Sequence, residues 1–294
     1  MLYANVAYYT CKTICQTKKM KLIPVFIAFF SISVFNCTAE TTLNCVRSSA
    51  GGCLAYDVGA EDPRLCDAQT CRLYATFGNH YLAHELSHSR LEAIIPTRSL
   101  VFATDMEWFG YALYNRLRTH CALSKRLSGH CAIGVGFRLA SLHYEGNERR
   151  CLSLAEDLTF LFHGRTTDLY AKGENLFDTG WRGICGERFK EPARTTLGVQ
   201  FHFSESVSCA LESYWEGGRK LFGRFGTHYD IGKFQLRCGV TGPPIAPSFG
   251  CGFLGKKFRL DLSARWVRNL GYALDCGIGY TFNKKESGVP PINE

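Results

Sequence analysis

The sequence predicts an all-β chain that closes into a transmembrane antiparallel up-and-down β-barrel of about fourteen strands, with a short N-terminal plug or periplasmic segment. Three observations predict it. Apolar residues recur with a period of two over most of the chain, turn residues interrupt them every dozen or so positions, and an apolar leader marks the chain for export.

Composition agrees. The chain has 294 residues, 46% apolar, 13% aromatic and 20% charged, enough for one large all-β domain or two ordinary ones. Mean hydropathy is close to zero. That excludes a helical membrane protein and a disordered chain, while a barrel with apolar residues outward and polar residues inward averages to this value.

Residues 1–39 read as a signal peptide. Lys18, Lys19 and Lys21 surround Met20 as a basic start, and residues 22–35 form a mostly apolar run too short for a comfortable transmembrane helix. Cys37-Thr38-Ala39 supplies small residues before a cleavage point ahead of Glu40. The true start is accordingly expected at Met20. A lipoprotein acylated on Cys37 is the poorer reading, because Val34-Phe35-Asn36 is a poor approach to it. Loss of residues 1–39 removes four lysines and no acids, so the net charge falls from +8 to +4. That is too mild to indicate a nucleic-acid partner.

Residues 40–78 lack the two-residue period. Ala50-Gly51-Gly52 and Ala60-Glu61-Asp62-Pro63-Arg64 carry turn residues instead, and the segment is expected in or under the barrel mouth. The barrel is expected over 79–283, followed by a loose tail, 284–294, containing Pro290-Pro291.

Within the barrel the alternation is explicit. Leu117, Cys121 and Leu123 alternate with Arg118, His120, Ala122 and Ser124; Cys131, Ile133, Val135, Phe137 and Leu139 with Ala132, Gly134, Gly136 and Arg138. Leu197, Val199 and Phe201 alternate with Gly198, Gln200 and His202, and Val207, Cys209 and Leu211 with Ser208, Ala210 and Glu212. Phe234, Leu236, Cys238 and Val240 precede Phe249, Cys251 and Phe253, then Phe258, Leu260, Leu262 and Trp266. The last segment is clearest: Tyr272, Leu274, Cys276, Ile278, Tyr280 and Phe282 against Ala273, Asp275, Gly277, Gly279 and Thr281. Half-buried strands produce this pattern and helices do not.

A soluble sandwich would alternate too. The barrel is favoured because the second face is rich in Gly, Ala and Ser with isolated charges, aromatics sit near strand ends, and segments of about 9–12 residues suit a tilted span. Turn lengths add to this. Turns at 254–256, 230–232, 204–206 and 126–129 are short and fall on the periplasmic side, whereas the long connection, 178–194, falls on the other. Cys121, Cys131, Cys209, Cys238, Cys251 and Cys276, six of fifteen cysteines, share the apolar parity and read as small lipid-facing hydrophobes. Cys45, Cys53, Cys66, Cys71 and Cys185 lie outside the strands as candidates for a disulfide.

The inward parity yields lumen-lining candidates: Arg118, His120, Arg138, Asp157, Gln200, His202, Glu212, Arg224, His228, Asp230, Arg237, Arg259, Asp261, Arg265 and Asp275. A salt-bridged interior network is the expected role, and a selectivity lining for an anionic or amphipathic solute is the alternative. Glu156 shares the parity of Leu154 and Leu158, which suits only the membrane boundary. No catalytic residue, metal or cofactor is expected.

One motif points elsewhere. His84-Glu85-Leu86-Ser87-His88 matches the H-E-x-x-H signature of zinc proteases, with Glu92 or Glu107 as nominal third ligand. On a strand the two histidines would stand about 13 Å apart, too far to share one ion. The chain around them reads as hairpins, so the protease is the least favoured reading.

Asn79-His80-Tyr81-Leu82-Ala83-His84-Glu85-Leu86, Ile95-Pro96-Thr97, Phe109-Gly110-Tyr111-Ala112-Leu113-Tyr114-Asn115 and the closing strands from Ile231 to Phe282 resemble the PorV/PorQ-type outer-membrane proteins, relatives of FadL-like fatty-acid transporter barrels. The ending Gly277-Ile278-Gly279-Tyr280-Thr281-Phe282 resembles a barrel-assembly signal with a terminal aromatic. Near the start, Cys66-Asp67-Ala68-Gln69-Thr70 stands where the family has an Asn-Pro-Ala or Asn-Gln-Ala element. The resemblance implies a Gram-negative outer-membrane location and passage of hydrophobic or amphipathic solutes. It also implies, alternatively, an accessory role in a type IX-like secretion or outer-membrane assembly complex. Implied partners are outer-membrane lipid, a hydrophobic small molecule and other outer-membrane or secretion-system proteins.

Overall fold

The computed structural model describes residues 46–56, 70–97, 99–144, 151–177, 181–182, 188–189, 192–217, 221–242 and 244–282. Residues 1–39, read above as a signal peptide, and Cys45, Cys66, Cys185 and residues 284–294 lie outside the described residues.

Fourteen long strands form the wall: β1 (Arg72–His80), β2 (Ser87–Pro96), β3 (Val101–Gly110), β4 (Tyr114–Arg126), β5 (Cys131–Tyr144), β6 (Cys151–His163) and β7 (Thr167–Glu174). They continue as β8 (Arg194–His202), β9 (Val207–Glu216), β10 (Phe222–Ile231), β11 (Phe234–Thr241), β12 (Ala246–Leu254), β13 (Phe258–Val267) and β14 (Gly271–Thr281). Each pairs antiparallel with its sequence neighbours, and β14 pairs with β1 from Arg72↔Thr281 to His80↔Ala273, so the sheet closes without an edge. Following the register once around advances it by about 14 residues, which for as many strands gives a tilt of roughly 35°.

Parity sorts the side chains as the alternation predicts. Inward positions are buried, whereas Phe137, Leu139, Leu262 and Ile278 on the outer face are more than half exposed. A continuous belt of exposed Leu, Ile, Val and Phe is intolerable in water, and hydrocarbon is the solvent it fits. Aromatics edge the belt at both ends. Phe234 packs on Phe253, and Phe258 on Tyr280, which meets Phe282, at one end. Trp108, Trp215, Trp266 and Tyr272 stand at the other.

The two ends differ. The end carrying Phe282 has the connections 97–100, 127–130, 164–166, 203–206, 232–233 and 255–257, none longer than four residues. The opposite end carries 175–193, nineteen residues, which include a two-residue ribbon, Trp181–Arg182 with Arg188–Phe189, paired to β6 at Leu152. Glu156, on the outer parity, stands where β7 has ended, its carboxylate accepting from the Phe177 N–H and its carbonyl from Asn175.

Some details correct the sequence reading. The wall begins at Arg72, so it takes in the last seven residues assigned to the N-terminal segment. Tyr74, Thr76 and Gly78 face inward there, and Leu73 and Phe77 outward. As the hairpin reading expects, residues 81–95 form no α-helix: Tyr81 and Leu82 turn through positive φ, His84–Leu86 is one 3-10 turn, and strand follows from Ser87. Glu92 and Glu107 are instead ion-paired, to Arg90 at 3.3 Å and to Arg116 at 3.1 Å. Cys53 and Cys71 are reduced, as are the six outward cysteines.

Placing a charge on the belt tests its solvent. Leu262→Arg, mid-strand on the outer face, is expected to cost about 2–4 kcal/mol in reversible urea unfolding from phospholipid vesicles, and Leu127→Arg in a short turn about 0–1 kcal/mol.

Candidate functional site

The lumen holds an N-terminal segment: α1 (Val46–Gly51), then a 3-10 turn, Leu54–Tyr56. Its seat is a patch of inward glycines on three adjacent strands. A Cβ at Gly239 would lie 2.0 Å from the Gly51 carbonyl oxygen, one at Gly226 2.1 Å from the same atom, and one at Gly250 2.3 Å from the Ala50 Cβ. Polar contacts then fix the segment. The Ala55 N–H donates to Glu212 Oε1 at 2.9 Å, and the Tyr56 hydroxyl donates to the Gly226 carbonyl at 2.9 Å. Tyr56 also stacks on His228 with ring centroids 5.6 Å apart. Burial pushes the Cys53 thiol and the Tyr56 hydroxyl well above their ordinary ranges, because neither ion could be solvated there.

Around the segment the inner wall is charged and paired. One ribbon runs from β2 to β7. Arg90 meets Asp105 at 3.1 Å, His120 bridges Asp105 at 3.2 Å and Asp157 at 3.3 Å, and Arg138 reaches Asp157 and Glu174. Arg118 and Arg116 flank Glu107 beside it. A second group joins Arg224 to Glu212 at 3.3 Å, with Tyr170 donating to the same carboxylate. A third gathers Arg237 (3.0 Å) and Arg259 (2.6 Å) on Asp261, with Tyr74 donating to it at 2.9 Å.

Most of these ion pairs join adjacent strands, but three contacts share another device: the partners lie two strands apart and meet over a glycine on the strand between. His120 and Asp157 meet over Gly136, Tyr170 and Glu212 over Gly198, and Tyr74 and Asp261 over Gly277. A Cβ at any of the three would come within 2.3 Å of the crossing side chain.

Of the candidates read from sequence, Arg118, His120, Arg138, Asp157, Gln200, Glu212, Arg224, Arg237, Asp261, Arg265 and Asp275 are buried on the inner face. Gln200 donates to Ser208 at 3.3 Å. His228, Asp230 and Arg259 are half-buried near the short-turn end, where Asp230 accepts from Gln235 at 2.7 Å. His202, at the end of β8, is exposed and meets Asp168 at 3.0 Å. The lumen-lining candidates did not include Arg90, Glu92, Asp105, Glu107, Asp168, Glu174 and Glu216, which are also inward; two-residue spacing along a strand, as in Arg90 and Glu92 or Asp105 and Glu107, is the signal that would have found several of them.

A hollow of about 530 Å³ lies on the outer face instead, across β12, β13, β14 and β1. Phe77, Phe249, Leu262 and Leu274 wall it around the small side chains of Cys251, Ala264 and Cys276.

No family model and no curated protein matches the chain. Among solved structures, the Pseudomonas putida toluene transporter TodX is similar with a TM-score of 0.54 at 11% identity, over 85% of this chain and 96% of that one. A TodX deltaS2S3 mutant, described as a monoaromatic hydrocarbon channel, gives 0.54 at 12% identity, over 86% and 98%. The fold is that of outer-membrane channel barrels. At such identities the likeness extends to the fold and no further.

Two outcomes follow from this geometry. Asp261→Ala removes the buried carboxylate that Arg237 and Arg259 share, and urea unfolding is expected to show a loss of about 3–5 kcal/mol. The buried Cys53 thiol, held protonated as pH rises through the range where exposed thiols ionise, is expected to resist maleimide in the folded protein from pH 7 to 9. Gly239→Val, which unseats α1, is expected to let it react, as read by peptide mass mapping.

Proposed function

We propose that the protein is a Gram-negative outer-membrane channel of the PorV/FadL-like kind that passes or binds hydrophobic or amphipathic solutes. The observation that carries this reading is the seated segment: α1 and its 3-10 turn stand in the lumen against the glycine patch. Beside a wall of crossing ion pairs, this disfavours a wide water-filled route for hydrophilic solutes. The apolar hollow on the outer wall offers a place for a greasy molecule beside the belt. The toluene transporter and the monoaromatic hydrocarbon channel of like fold support the same substrate class, and the segment order of the PorV/PorQ resemblance supports the family. Within this reading the lumen-lining residues serve chiefly as structural ion pairs that hold the wall and the segment.

The second reading, a non-transporting accessory of a secretion or assembly complex, rests on the same resemblance. Gentle detergent extraction followed by mass spectrometry separates the two. Apolar small molecules retained at stoichiometric levels are expected. Co-purifying outer-membrane proteins with no retained ligand would favour the accessory. In proteoliposomes, swelling in small sugars is expected to match that of empty vesicles, and to rise in Gly239→Val; rapid swelling with the native chain would sink the proposal.

A further inference from the structure

The seam where the last strand meets the first carries a cluster that the ion-pair ribbons do not absorb. His88 on β2, Gly78 on β1 and Asp275 on β14 stand in one row, Gly78 being the register partner of both others. His80 is the next inward position on β1, its ring 5.1 Å from that of His88. His88 Nε2 lies 3.5 Å from Asp275 Oδ1, and one ligand atom from each of the three side chains lies within 4.8 Å of the others.

Two features set this apart from an ordinary contact between histidine and carboxylate. Asp275 is only 8% exposed, yet among the described residues its Oδ1 accepts no hydrogen bond, and His88 Nδ1 is likewise buried without a hydrogen-bond partner. Buried polar atoms left so are costly, and a cation removes the cost at the carboxylate. The second feature is the glycine between them. A Cβ at Gly78 would stand 2.2 Å from both Asp275 Oδ1 and His88 Cε1, so the row closes only because that side chain is missing.

We propose that His80, His88 and Asp275 bind a divalent transition-metal ion of the zinc type on the lumen face of the seam. Two imidazole nitrogens and one carboxylate oxygen suit Zn²⁺ and its neighbours rather than Mg²⁺ or Ca²⁺. Donors about 2.1 Å from a tetrahedral ion stand about 3.4 Å apart, and His88 and Asp275 already hold that spacing. A small rotation brings in His80. Ser263 Oγ, donating to Asp275 Oδ2 at 3.0 Å, keeps the carboxylate turned toward the site. Three protein ligands leave one position for water or a donor atom of a solute. The ion ties β14, β1 and β2 together and so clips the closure of the barrel. The second histidine of H-E-x-x-H thus finds its metal partners across the seam, while His84 stays exposed in the turn.

The test uses the full, untagged chain folded in detergent, stripped with chelator and titrated with ZnCl₂ by calorimetry and with CoCl₂ by visible absorption. About one ion per chain is expected, with a cobalt d–d band. His88→Ala, His80→Ala and Gly78→Ala are each expected to weaken binding at least about tenfold and abolish the band, and His84→Ala to leave both unchanged. Heat-dependent gel migration confirms that each variant is folded. His80, at the end of its strand, keeps the test decisive if His88→Ala does not fold. Failure of the native chain to bind either ion overturns the proposal, as does binding that His80→Ala retains or that His84→Ala removes.

Discussion

In hydrocarbon no water completes an unpaired backbone N–H or C=O, so a spanning sheet has to close on itself. Here the nine pairs between β1 and β14 supply that closure. Much else follows from it. Nearest-neighbour antiparallel pairing with an even strand count returns the chain to the end where the wall began, the end with the short turns. The register that closes also fixes parity, and parity decides which residues meet lipid and which meet the interior. A slip of one residue at the seam would turn Leu274 and Ile278 inward and drive Asp275 into the membrane.

The interior then sets its own condition. Adjacent strands lie about 4.8 Å apart, so residues on alternate strands are nearly 10 Å apart at the backbone. Most charged side chains pair with a neighbouring strand, and those that reach a partner on the strand beyond lean over a position with little or no side chain to obstruct them. Gly136, Gly198 and Gly277 fill this role in the ribbons. Arg237 and Asp261 likewise flank Gly252, whose Cβ would come 2.6 Å from the carboxylate. These four inward glycines are therefore the complement of the side chains that cross them, while Gly226, Gly239 and Gly250 make room for α1.

The wall was legible because the alternation needs no long-range knowledge. β13 and β14 are written out by Leu260, Leu262, Leu274 and Ile278 on one parity and by Asp261, Ser263, Asp275 and Gly277 on the other. β1 and β2 were harder: Ile94 is apolar yet faces inward, packed with Val101, Ala103 and Ala122, which blurs the contrast with Ile95. The sign of the inner residues could be read, but their partners could not, because Arg237 and Asp261 are joined by register across three strands. The seat of α1 was hidden for the same reason. Gly239 and Gly250 belong to the small-residue parity of their strands, and only the folded wall shows that they and Gly226 admit α1. H-E-x-x-H is the opposite case: a local match says nothing of whether the backbone coils, and the surrounding hairpin pattern was the better guide.

The lodging of α1 carries a consequence for how the molecule is made. Its anchors, Glu212, Gly226, Gly239 and Gly250, all belong to the C-terminal half of the wall, more than 150 positions downstream. The segment 46–56 therefore has no berth until strands β9 to β12 are in place. Docking requires that half of the wall, and a chain cut short after β7 would be left with a lumen segment and no surface to receive it.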